Sequence, residues 1–312
     1  MILMASAHIN DADVSPIRAL LDHPAGGVLA VIAGIEGPSY RPMGAMMAIM
    51  GDGTRVGTLS SGCIEADIAL HAAQINDAPR MIRYGKGSPY VDIVLPCGGG
   101  LDVLIIPAPD LDTLADIAER MDIRQRCSLL IDTATGDMTV QTTGVTQLSG
   151  QTLCVAFEPP VRFVIFGKGP EASTFAALVQ SVGYPNLLAS PDTETLAAGA
   201  ASGCATQHMT QHGFPANVQT DDRTAIILFF HDHDWEPPIL SGALDTDAFY
   251  VGSQGSQRAR DTRIAALETM QVSASNIAKL RGPVGLIPSA RDARTLAISV
   301  LAEILAVAMN GD

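Results

Sequence analysis

The pattern of apolar and polar residues changes about half-way along the chain. In the first half, short apolar runs alternate with turns rich in glycine and proline, and the run 27–36 predicts a buried strand. The runs 45–50 and 54–59 flank Gly51-Asp52-Gly53, a combination typical of a β-hairpin. In the second half, strand-like runs alternate with helical patterns, and the continuous apolar run 224–230 is typical of a strand in a parallel sheet. The pattern predicts a mixed α+β domain followed by an α/β domain.

Helix and linker signals place the boundary between these two domains. Segment 15–23 starts with a serine and a proline, which favour a helix start, and 111–121 has helical spacing. Glu158-Pro159-Pro160 is the linker candidate because the pattern changes directly after it. We therefore predict domains at residues 1–158 and 159–312. The other predicted elements are a helix from Ile64 to about Asn76, strands within 80–86, 91–96, 101–107, 127–133, 137–143, 151–158, 187–190 and 248–252, and a last helix within 289–309.

Composition and charge narrow the class of protein. The 312 residues are 47% hydrophobic, which suffices for packed cores, and the net charge is −14 at pH 7. A chain this acidic repels phosphate backbones, so we expect no nucleic-acid partner. The 5 cysteines are scattered without a CxxC pair, which suits a reducing compartment. The chain shows neither a secretory pattern nor an apolar run long enough for a bilayer, so we expect a cytoplasmic protein with no membrane partner.

A glycine turn opens the second domain. Gly167, Gly169 and Ala172 have the spacing G-x-G-x-x-A between a predicted strand and a predicted helix. This is the context of a dinucleotide-binding fingerprint, in which phosphates approach the helix N-terminus. It predicts a Rossmann-like doubly wound parallel sheet and makes NAD(P) a candidate cofactor. Against NAD(P), the next strand ends at Ser190, where a ribose-binding acid is expected, and Asp192 comes two residues late.

Two histidines follow the apolar run 224–230. His231 and His233 alternate with Asp232 and Asp234 at the carboxyl end of the predicted strand, where ligands lie in open α/β sheets. Such side chains can hold a metal ion, but no further soft ligand is near in sequence. They can equally face a polar ligand or order a loop. We assign no metal ligands here and leave these alternatives open.

Two cysteines lie in turns of the first domain. Cys63 follows Ser60-Ser61-Gly62 and precedes a helix, where a thiol has a lowered pKa. Glu65, in the first turn of that helix, opposes this effect by satisfying the same helix dipole. Cys97 opens a run of three glycines, which let the backbone pass close to a ligand. Either cysteine can instead be a small buried filler.

A third turn, Gly37-Pro38-Ser39-Tyr40-Arg41-Pro42, follows the strand predicted at 27–36. An arginine on a stiff turn is well suited to an anion. The alternative is an arginine that simply faces solvent.

Taken together, these motifs resemble the XdhC/CoxI family, the xanthine dehydrogenase accessory proteins. The matching segments are EGPSYRP (36–42), GTLSSGCIEAD (57–67), LPCGG (95–99), IFGKGPEA (165–172), FHDH (230–233), YVGSQGSQR (250–258), PVGL (283–286) and AISVLAEI (297–304). They occur in the family's order over nearly the whole chain. The chain departs from the family pattern at Ser61, Ala66, Gly100, Pro170, Gln254, Gln257 and Ser289.

The resemblance implies an accessory factor more than an enzyme. Family members resemble carriers that bind the molybdenum cofactor and help to insert it into xanthine dehydrogenase or a related molybdenum hydroxylase. A cysteine desulfurase is a second implied partner, and a homodimer is expected on grounds of fold. The implied site has thiols facing a metal–sulfur centre and backbone amides facing a pterin phosphate.

The residues that we assign to cofactor binding lie in the turns described above, and none is assigned a catalytic role. They are Tyr40, Arg41, Ser60, Ser61, Gly62, Cys63, Glu65, Cys97, Gly98, Gly99, Gly167, Gly169, His231, His233, Gly252, Gly255 and Ser256. Three alternatives remain at this point: an NAD(P)-dependent oxidoreductase, a metalloenzyme built on the histidines, and a scaffold that holds no cofactor.

Overall fold

The chain forms two compact units that divide between Pro159 and Pro160. The structure is a computed structural model, and it describes residues 13–23, 25–60, 62, 64–89, 95–96, 98–231 and 234–310. We refer to Ile9–Pro159 as the N-terminal unit and to Pro160–Asp312 as the C-terminal unit.

The N-terminal unit combines two antiparallel sheets with helices. Its helices are α1 (Ser15–Asp22), α2 (Glu65–Gln74) and α3 (Leu111–Asp122). Its strands are β1 (Gly27–Glu36), β2 (Met46–Met50), β3 (Arg55–Gly57), β4 (Arg80–Gly85), β5 (Gly100–Ile106), β6 (Cys127–Asp132), β7 (Met138–Gln141), β8 (Gln147–Ser149) and β9 (Thr152–Phe157). One sheet has the order β3-β2-β1-β5-β4, and the other has the order β7-β6-β9-β8.

Strand β1 shows how the two faces of the first sheet are filled. Successive side chains of a strand point to opposite faces. Leu29 and Val31 belong to a core cluster with residues of α1, α3 and the second sheet. Ala30 and Ile32 belong to another cluster, which contains residues of α2. The apolar run predicted as a buried strand is therefore covered on both faces.

The C-terminal unit is a parallel sheet with helices on both faces. Its strands are β10 (Arg162–Gly167), β11 (Asn186–Ser190), β12 (Ala205–His208), β13 (Thr224–Phe229), β14 (Tyr250–Ser253) and β15 (Leu280–Arg281). Its helices are α4 (Pro170–Ser181), α5 (Thr193–Ala201), α6 (Glu236–Ala243), α7 (Gln257–Thr269), α8 (Ala274–Lys279) and α9 (Ala293–Asn310). The sheet order is β12-β11-β10-β13-β14-β15, and the paired strands are parallel.

This sheet order is the one found in dinucleotide-binding domains, in which the chain starts in the middle and winds outward in both directions. Phe163 and Ile165 of β10 pack in a cluster with α4 and α9. Val164 and Phe166 pack in a second cluster, on the face covered by α6 and α7. The predicted fold class, a mixed α+β domain followed by a Rossmann-like doubly wound sheet, is confirmed.

The predicted elements agree with the described structure at most positions. The hairpin around Gly51–Gly53 forms, with β2 and β3 paired antiparallel. The strand predicted at 91–96 lies largely outside the described residues. Within the described part of the chain, no helix is long and apolar enough to cross a membrane.

Candidate functional site

Three turns of the N-terminal unit lie at one side of its five-stranded sheet, where strands β1, β3 and β4 end. Glu36, the end of β1, is opposite Gly100, the start of β5, and Gly100 is also opposite Gly85, the end of β4. Strand β3 runs parallel to β1, because both pair antiparallel with β2, and it ends at Gly57. The segments that follow β1, β3 and β4 therefore leave the sheet at the same edge, which we call the turn edge.

One core cluster anchors two of these segments. Leu59 and Ile64, from the turn between β3 and α2, pack in the same cluster as Leu95, which precedes β5. All three side chains are at most 3% exposed. Cys63 and Ser61 lie between the first two of these anchors in sequence, and Cys97 follows the third; these three residues lie outside the described part of the chain. The assignment of the two thiols to one site stays a prediction.

Glycines let the backbones of two turns touch at the turn edge. A Cβ atom on Gly99 would collide with the carbonyl oxygen of Pro38 and lie 3.1 Å from the carbonyl oxygen of Glu36. A Cβ atom on Gly85 would collide with the carbonyl oxygen of Gly99. The Gly98-Gly99 turn therefore packs directly against the Gly37-Pro38 turn, and no other residue type fits at Gly99 without movement.

The carboxylate of Glu65 organises the turn that precedes α2. Its Oε1 accepts hydrogen bonds from the Thr58 hydroxyl (2.6 Å) and from the amides of Leu59 (3.2 Å) and Ser60 (2.8 Å). Its Oε2 accepts from the Ser60 hydroxyl (2.7 Å) and from the Ile64 amide (3.2 Å). Burial alone would raise the pKa of Glu65, but the hydrogen bonds from Thr58 and Ser60 outweigh burial and lower that pKa to about 2.

Because both oxygens of Glu65 are engaged by the turn, we assign this residue to positioning the turn and not to ligand contact. Ser60 is also committed to the turn, since its hydroxyl donates to Glu65 and accepts from the amide of Gly62 (3.2 Å). Gly62 itself is exposed and has φ of +98°, a left-handed conformation that suits glycine. Of Ser60, Gly62 and Glu65, Gly62 is the exposed residue, and its assignment to cofactor binding stays a prediction.

Tyr40 and Arg41 differ in their exposure to solvent. Tyr40 is 61% exposed. The Nε of Arg41 is buried and has no hydrogen-bond partner among the described residues. Arg41 lines a small cavity of about 30 Å³ with Thr146 and Val155, which belong to the part of the unit that forms the second sheet. This nitrogen is therefore a buried donor that no described acceptor uses.

A charged network at the turn edge was not predicted from the sequence. Arg83 donates to Asp102 (2.8 Å) and to Glu36 (2.5 Å), and Lys86 lies 2.7 Å from Glu36. Lys86 foremost, with Arg83, holds the pKa of Glu36 below its ordinary value. A Cβ atom on Gly100 would collide with the Arg83 guanidinium, so the glycine makes room for this network. No sequence signal indicated this network, because the predicted strands that contain Arg83 and Asp102 are separated by another predicted strand, at 91–96.

In the C-terminal unit, two cavities lie at the point where the strand order reverses. Strands β10 and β13 are neighbours whose ends, Gly167 and Phe229, are opposite each other, while their helices cover different faces. A cavity of about 850 Å³ lies beside the turn that follows β10, and a second of about 900 Å³ lies beside the turn that follows β14. Glu171, Phe230 and His231 line both cavities. Ligands of doubly wound sheets bind at this position.

The glycine turn after β10 has few amides left for a phosphate. The amide of Lys168 donates to the carbonyl of Phe229 (3.1 Å), and the amide of Gly169 donates to the hydroxyl of Thr195 (2.9 Å). Pro170 has no amide hydrogen. Gly167 serves packing, because a Cβ atom there would lie 2.6 Å from the Phe229 carbonyl oxygen. The spacing G-x-G-x-x-A is present, but the amides of Lys168 and Gly169 are used within the protein.

Asp192 is a helix cap in this structure. Its Oδ2 accepts from the amide (2.9 Å) and the hydroxyl (2.5 Å) of Thr195 at the start of α5. The hydrogen bond from the Thr195 side chain is the main cause that lowers the pKa of Asp192. Thr195 in turn accepts from Gly169, so the acid after β11 stabilises the glycine turn through a side chain.

His231 and Glu171 face each other at the mouth of the cavities. His231 Nε2 is 3.6 Å from Glu171 Oε1, and the His231 side chain is 74% exposed. The other oxygen of Glu171, Oε2, is buried and has no hydrogen-bond partner in the part of the chain that the structure describes. His233 lies outside the described residues. Among the residues that the structure describes, no three His, Cys, Asp or Glu side chains are grouped to hold a metal ion.

The predicted site residues at the end of β14 and in the turn after it serve packing and capping. A Cβ atom on Gly252 would lie 2.6 Å from the ring of Tyr250. The Ser256 hydroxyl caps α7 by accepting from the amide of Ala259 (3.2 Å). Gly255, between them, has φ of +134° and lines the second cavity together with Ser256.

A buried ion pair packs against the turn after β14. It was not predicted from the sequence. Arg263 of α7 donates to both carboxylate oxygens of Glu236 of α6 at 3.0 and 3.1 Å. It also donates to the carbonyl of Gln254 (2.9 Å), and the amide group of Gln254 donates to the carbonyl of Phe230 (3.4 Å). The network links the turn after β14 to the residue before His231.

Comparison with known proteins places this chain in a family. The model of the XdhC Rossmann domain matches residues 163–304, and the model of the XdhC and CoxI family matches residues 20–85. The chain is 35% identical over 290 residues to the molybdenum cofactor insertion chaperone PaoD of Escherichia coli (strain K12), covering 91% of this chain and 84% of that protein. The chain belongs to the XdhC and CoxI family.

Two further relatives of this XdhC/CoxI family member cover nearly all of its length. One is a protein of Bacillus subtilis (strain 168) described as a probable component of xanthine dehydrogenase, 24% identical over 93% of this chain and 95% of that protein. A crystal structure described as a xanthine dehydrogenase from Bacillus halodurans superposes with a TM-score of 0.77 at 22% identity, over 95% of this chain and 96% of that chain. The latter similarity establishes the fold alone.

Proposed function

We propose that this protein is a molybdenum cofactor insertion chaperone that serves a molybdenum hydroxylase such as xanthine dehydrogenase. The observation that carries the proposal is the 35% identity to PaoD over 91% of the chain. The name of the Bacillus subtilis relative, which refers to xanthine dehydrogenase, favours the same partner. The protein acts in this proposal as an accessory factor that holds and delivers a cofactor, and its own chain catalyses no reaction.

The proposed binding site in the N-terminal unit is the turn edge. Three turns leave the sheet there, and core packing and glycine contacts hold them together. In the proposal, Cys63 and Cys97 face the metal–sulfur group, whose softness suits thiols. Gly62, Gly98 and Gly99 give the backbone close access.

Arg41 and Tyr40 complete the proposed site at the turn edge. In the proposal, Arg41 faces the phosphate of the cofactor, because a guanidinium group suits a phosphate in charge and geometry. Tyr40 is exposed on the same turn and offers a ring surface and a hydroxyl.

Several features of the proposal concern how the protein works in the cell. Delivery needs contact with the target hydroxylase, and a cysteine desulfurase is the proposed partner that supplies sulfur to the cofactor. We propose a homodimer on grounds of fold. The scattered cysteines without a CxxC pair favour the reducing cytoplasm as the place of action.

NAD(P) is the second cofactor that the sequence suggested, and an oxidoreductase is the alternative function. The sheet order and the spacing of Gly167, Gly169 and Ala172 favour it. The donors of the glycine turn argue against it, because the amides of Lys168 and Gly169 are used internally and Pro170 has none. A titration with NADH, followed by cofactor fluorescence, tests this alternative.

The main experiment measures cofactor retention. The purified protein is incubated without oxygen with molybdenum cofactor released from a donor enzyme and is then desalted. Molybdenum and the fluorescent oxidised pterin that stay with the protein are quantified. We expect near-stoichiometric retention by the unmodified protein and a loss of retention in Cys63→Ala and Cys97→Ala.

A matched control is Cys154→Ala, which removes a buried thiol of β9 in the same unit. It should retain the cofactor like the unmodified protein. Full retention in both Cys63→Ala and Cys97→Ala would remove the thiols from the mechanism. No retention by the unmodified protein would refute the carrier function.

A further inference from the structure

Helices α4 and α9 cover one face of the parallel sheet with a layer that carries few charges. Glu303 is the one charged residue between positions 295 and 310, and its carboxylate accepts hydrogen bonds from the hydroxyl of Tyr250 (2.7 Å) and the amide of Gly285. Helix α4 has no charged residue after Glu171. By contrast, α7, whose Leu267 packs on the other face of the sheet, carries Arg258, Arg260, Asp261, Arg263 and Glu268.

A row of apolar side chains runs along the outer side of α9. Ile298, Ala302, Leu305 and Met309 are spaced at i, i+4, i+7 and i+11, which places them on one side of the helix. Ile298 is 59% and Met309 is 60% exposed, Ala302 is exposed, and Leu305 is half-buried. We call these four residues the α9 strip. A contiguous exposed apolar surface of this kind marks a site of interaction.

Further apolar residues extend this surface beyond α9. Leu286 and Ile287 are 60% and 47% exposed, and their amides donate to the carbonyl (3.4 Å) and the hydroxyl (2.7 Å) of Ser299. These hydrogen bonds hold the segment against the first turns of α9. On α4, Leu178 is half-buried, and Val182 at the end of the helix is 52% exposed.

The charged residues that border this surface stand where the two helices start. Lys168 and Glu171 lie at the start of α4. Arg291, Asp292 and Arg294 lie at the start of α9, and the carboxylate of Asp292 accepts from the amide of Arg294 (3.1 Å). The α9 strip itself has no charged member, so its full length is free for apolar contact.

We propose that the α9 strip packs against the same strip of a second copy of this chain, with the two α9 helices antiparallel about a two-fold axis. A two-fold contact uses the same residues on both copies. In this arrangement Ile298 lies opposite the partner's Met309, and Ala302 lies opposite the partner's Leu305. A small side chain thus meets a larger one near the axis, which lets the two helices interdigitate. The inference deepens the proposed function, because it names the surface of the homodimer included there.

Charge and polarity favour a second copy as the occupant of this surface. Each copy has a net charge of −14 at pH 7, so two copies repel each other unless they meet through a face without exposed carboxylates. The α9 strip is such a face. A target enzyme that is released after delivery uses a more polar interface, whereas the interfaces of permanent homodimers are more apolar.

The size of the surface also matches a dimer. At about 1.5 Å per residue and about 10 Å of width, the 18 residues of α9 and the 12 residues of α4 present roughly 450 Å² per copy. Two copies would bury roughly 900 Å² before Leu286 and Ile287 are added, which is close to the roughly 1,000 Å² that a specific interface needs.

The test measures the molar mass of the full-length protein by light scattering after gel filtration, over a range of concentrations. We expect the mass of two chains for the unmodified protein. Ile298→Glu and Ala302→Glu each place a carboxylate at an exposed position of the strip, which a single folded copy tolerates. We expect the dissociation constant of the dimer to rise at least about 100-fold in both variants, because the dimer would bury a carboxylate without a partner.

Leu70→Glu is the matched control. Leu70 is 63% exposed and lies on α2 of the N-terminal unit, so the same change is made on a helix outside the proposed interface. This variant should dimerise like the unmodified protein. Circular dichroism and urea unfolding of all variants verify that each chain is folded, so that a loss of the dimer is not a loss of the fold.

A mixing experiment tests the antiparallel register. Met309→Lys places an ammonium group opposite the partner's Ile298. When Ile298→Glu chains are mixed with Met309→Lys chains, the two new charges face each other across the interface. We expect mixed dimers that dissociate at least about ten-fold less readily than the dimers of either variant alone. No gain on mixing would refute this register.

A unmodified protein that stays monomeric at 100-fold dilution and at high concentration alike would overturn the proposal, as would dimers of Ile298→Glu and Ala302→Glu as stable as those of Leu70→Glu. Cofactor retention separates this inference from the carrier function. If the protein dimerises through the α9 strip but retains no molybdenum, the carrier function fails and the interface stands. If it retains molybdenum as a monomer, the interface fails and the carrier function stands.

Discussion

Glu65 illustrates how a single buried carboxylate couples the shape of a turn to pH. The hydrogen bonds that it accepts lower its pKa from the ordinary value of 4.5 to about 2 in the folded protein, although burial acts in the opposite direction. A group whose pKa is depressed on folding stabilises the folded state above its unfolded pKa. That contribution is lost as the pH falls from about 4.5 towards 2.

The first prediction concerns Glu65→Gln. Near pH 7 the variant should lose roughly 3 kcal/mol of unfolding free energy, because a shift of about 2.5 pKa units corresponds to that amount and an amide group cannot accept from all the same donors. The difference between the variant and the unmodified protein should shrink as the pH is lowered through 4.5. Urea unfolding followed by circular dichroism at several pH values measures it.

Glu194→Gln is a control for the loss of one carboxylate, since Glu194 is an exposed residue of α5. It should change the unfolding free energy by less than about 0.5 kcal/mol at any of these pH values. A Glu65→Gln difference that does not vary with pH would contradict the assigned pKa.

At the scale of residues, the sequence identifies chemically important side chains more readily than it identifies their hydrogen-bond partners. It marked Glu65 as a first-turn acid that serves the helix dipole, yet its oxygens bind the preceding turn. It marked Asp192 as too late for a ribose, and the structure uses this residue to cap α5. Glu171 carried no sequence signal, because the burial of its Oε2 depends on which atoms the fold places around that oxygen. Such partners are set by folding over distances that local patterns do not encode.

At the scale of elements, the turn edge depends on how closely two turns approach. Gly99 has no room for a Cβ atom, since the carbonyl oxygen of Pro38 occupies that space. The contact is between backbone atoms, which cannot move aside like the end of a flexible side chain. The packing of the Gly98-Gly99 turn on the Gly37-Pro38 turn thus rests on one missing methyl group.

The second prediction is that Gly99→Ala separates these two turns. We expect a loss of about 1–3 kcal/mol in unfolding free energy, as for other groups forced into a packed site. If the turn edge binds the cofactor, molybdenum retention should fall as well. Gly51→Ala is the control, because a Cβ atom there has nothing within 4 Å, and it should leave both quantities unchanged. Unchanged stability in Gly99→Ala would show that the turns are not held together by this contact.

The elements that the sequence predicted well are those with a strong apolar pattern. The run 27–36 coincides with β1, whose central residues 29–33 are buried, and 224–230 contains β13, which is buried along its whole length. Strands β8 and β12 were not predicted, because their residues are almost all exposed and polar and pairing with a neighbour alone defines them. The sheet order in the N-terminal unit was likewise out of reach, since antiparallel pairing depends on contacts between distant segments.

At the scale of the whole molecule, the buried residues fall into separate cores. The two clusters of the N-terminal unit contain residues between 17 and 157, and those of the C-terminal unit contain residues between 161 and 308. The change of unit between Pro159 and Pro160 coincides with the change in sequence pattern. A unit with its own core has the means to fold alone.

The third prediction is that residues 160–312, expressed separately, fold as a cooperative unit. The parallel sheet is complete within this segment, and apolar residues of α4 and α9 cover one face while those of α6 and α7 cover the other. We expect a single sigmoidal urea transition by circular dichroism and by the fluorescence of Trp235, the one tryptophan of the chain. Coincident transitions for the two probes would support a two-state unit. A chain without a cooperative transition would show that this core needs residues before 160, and the domain boundary predicted at 158 and 159 would then have to be moved.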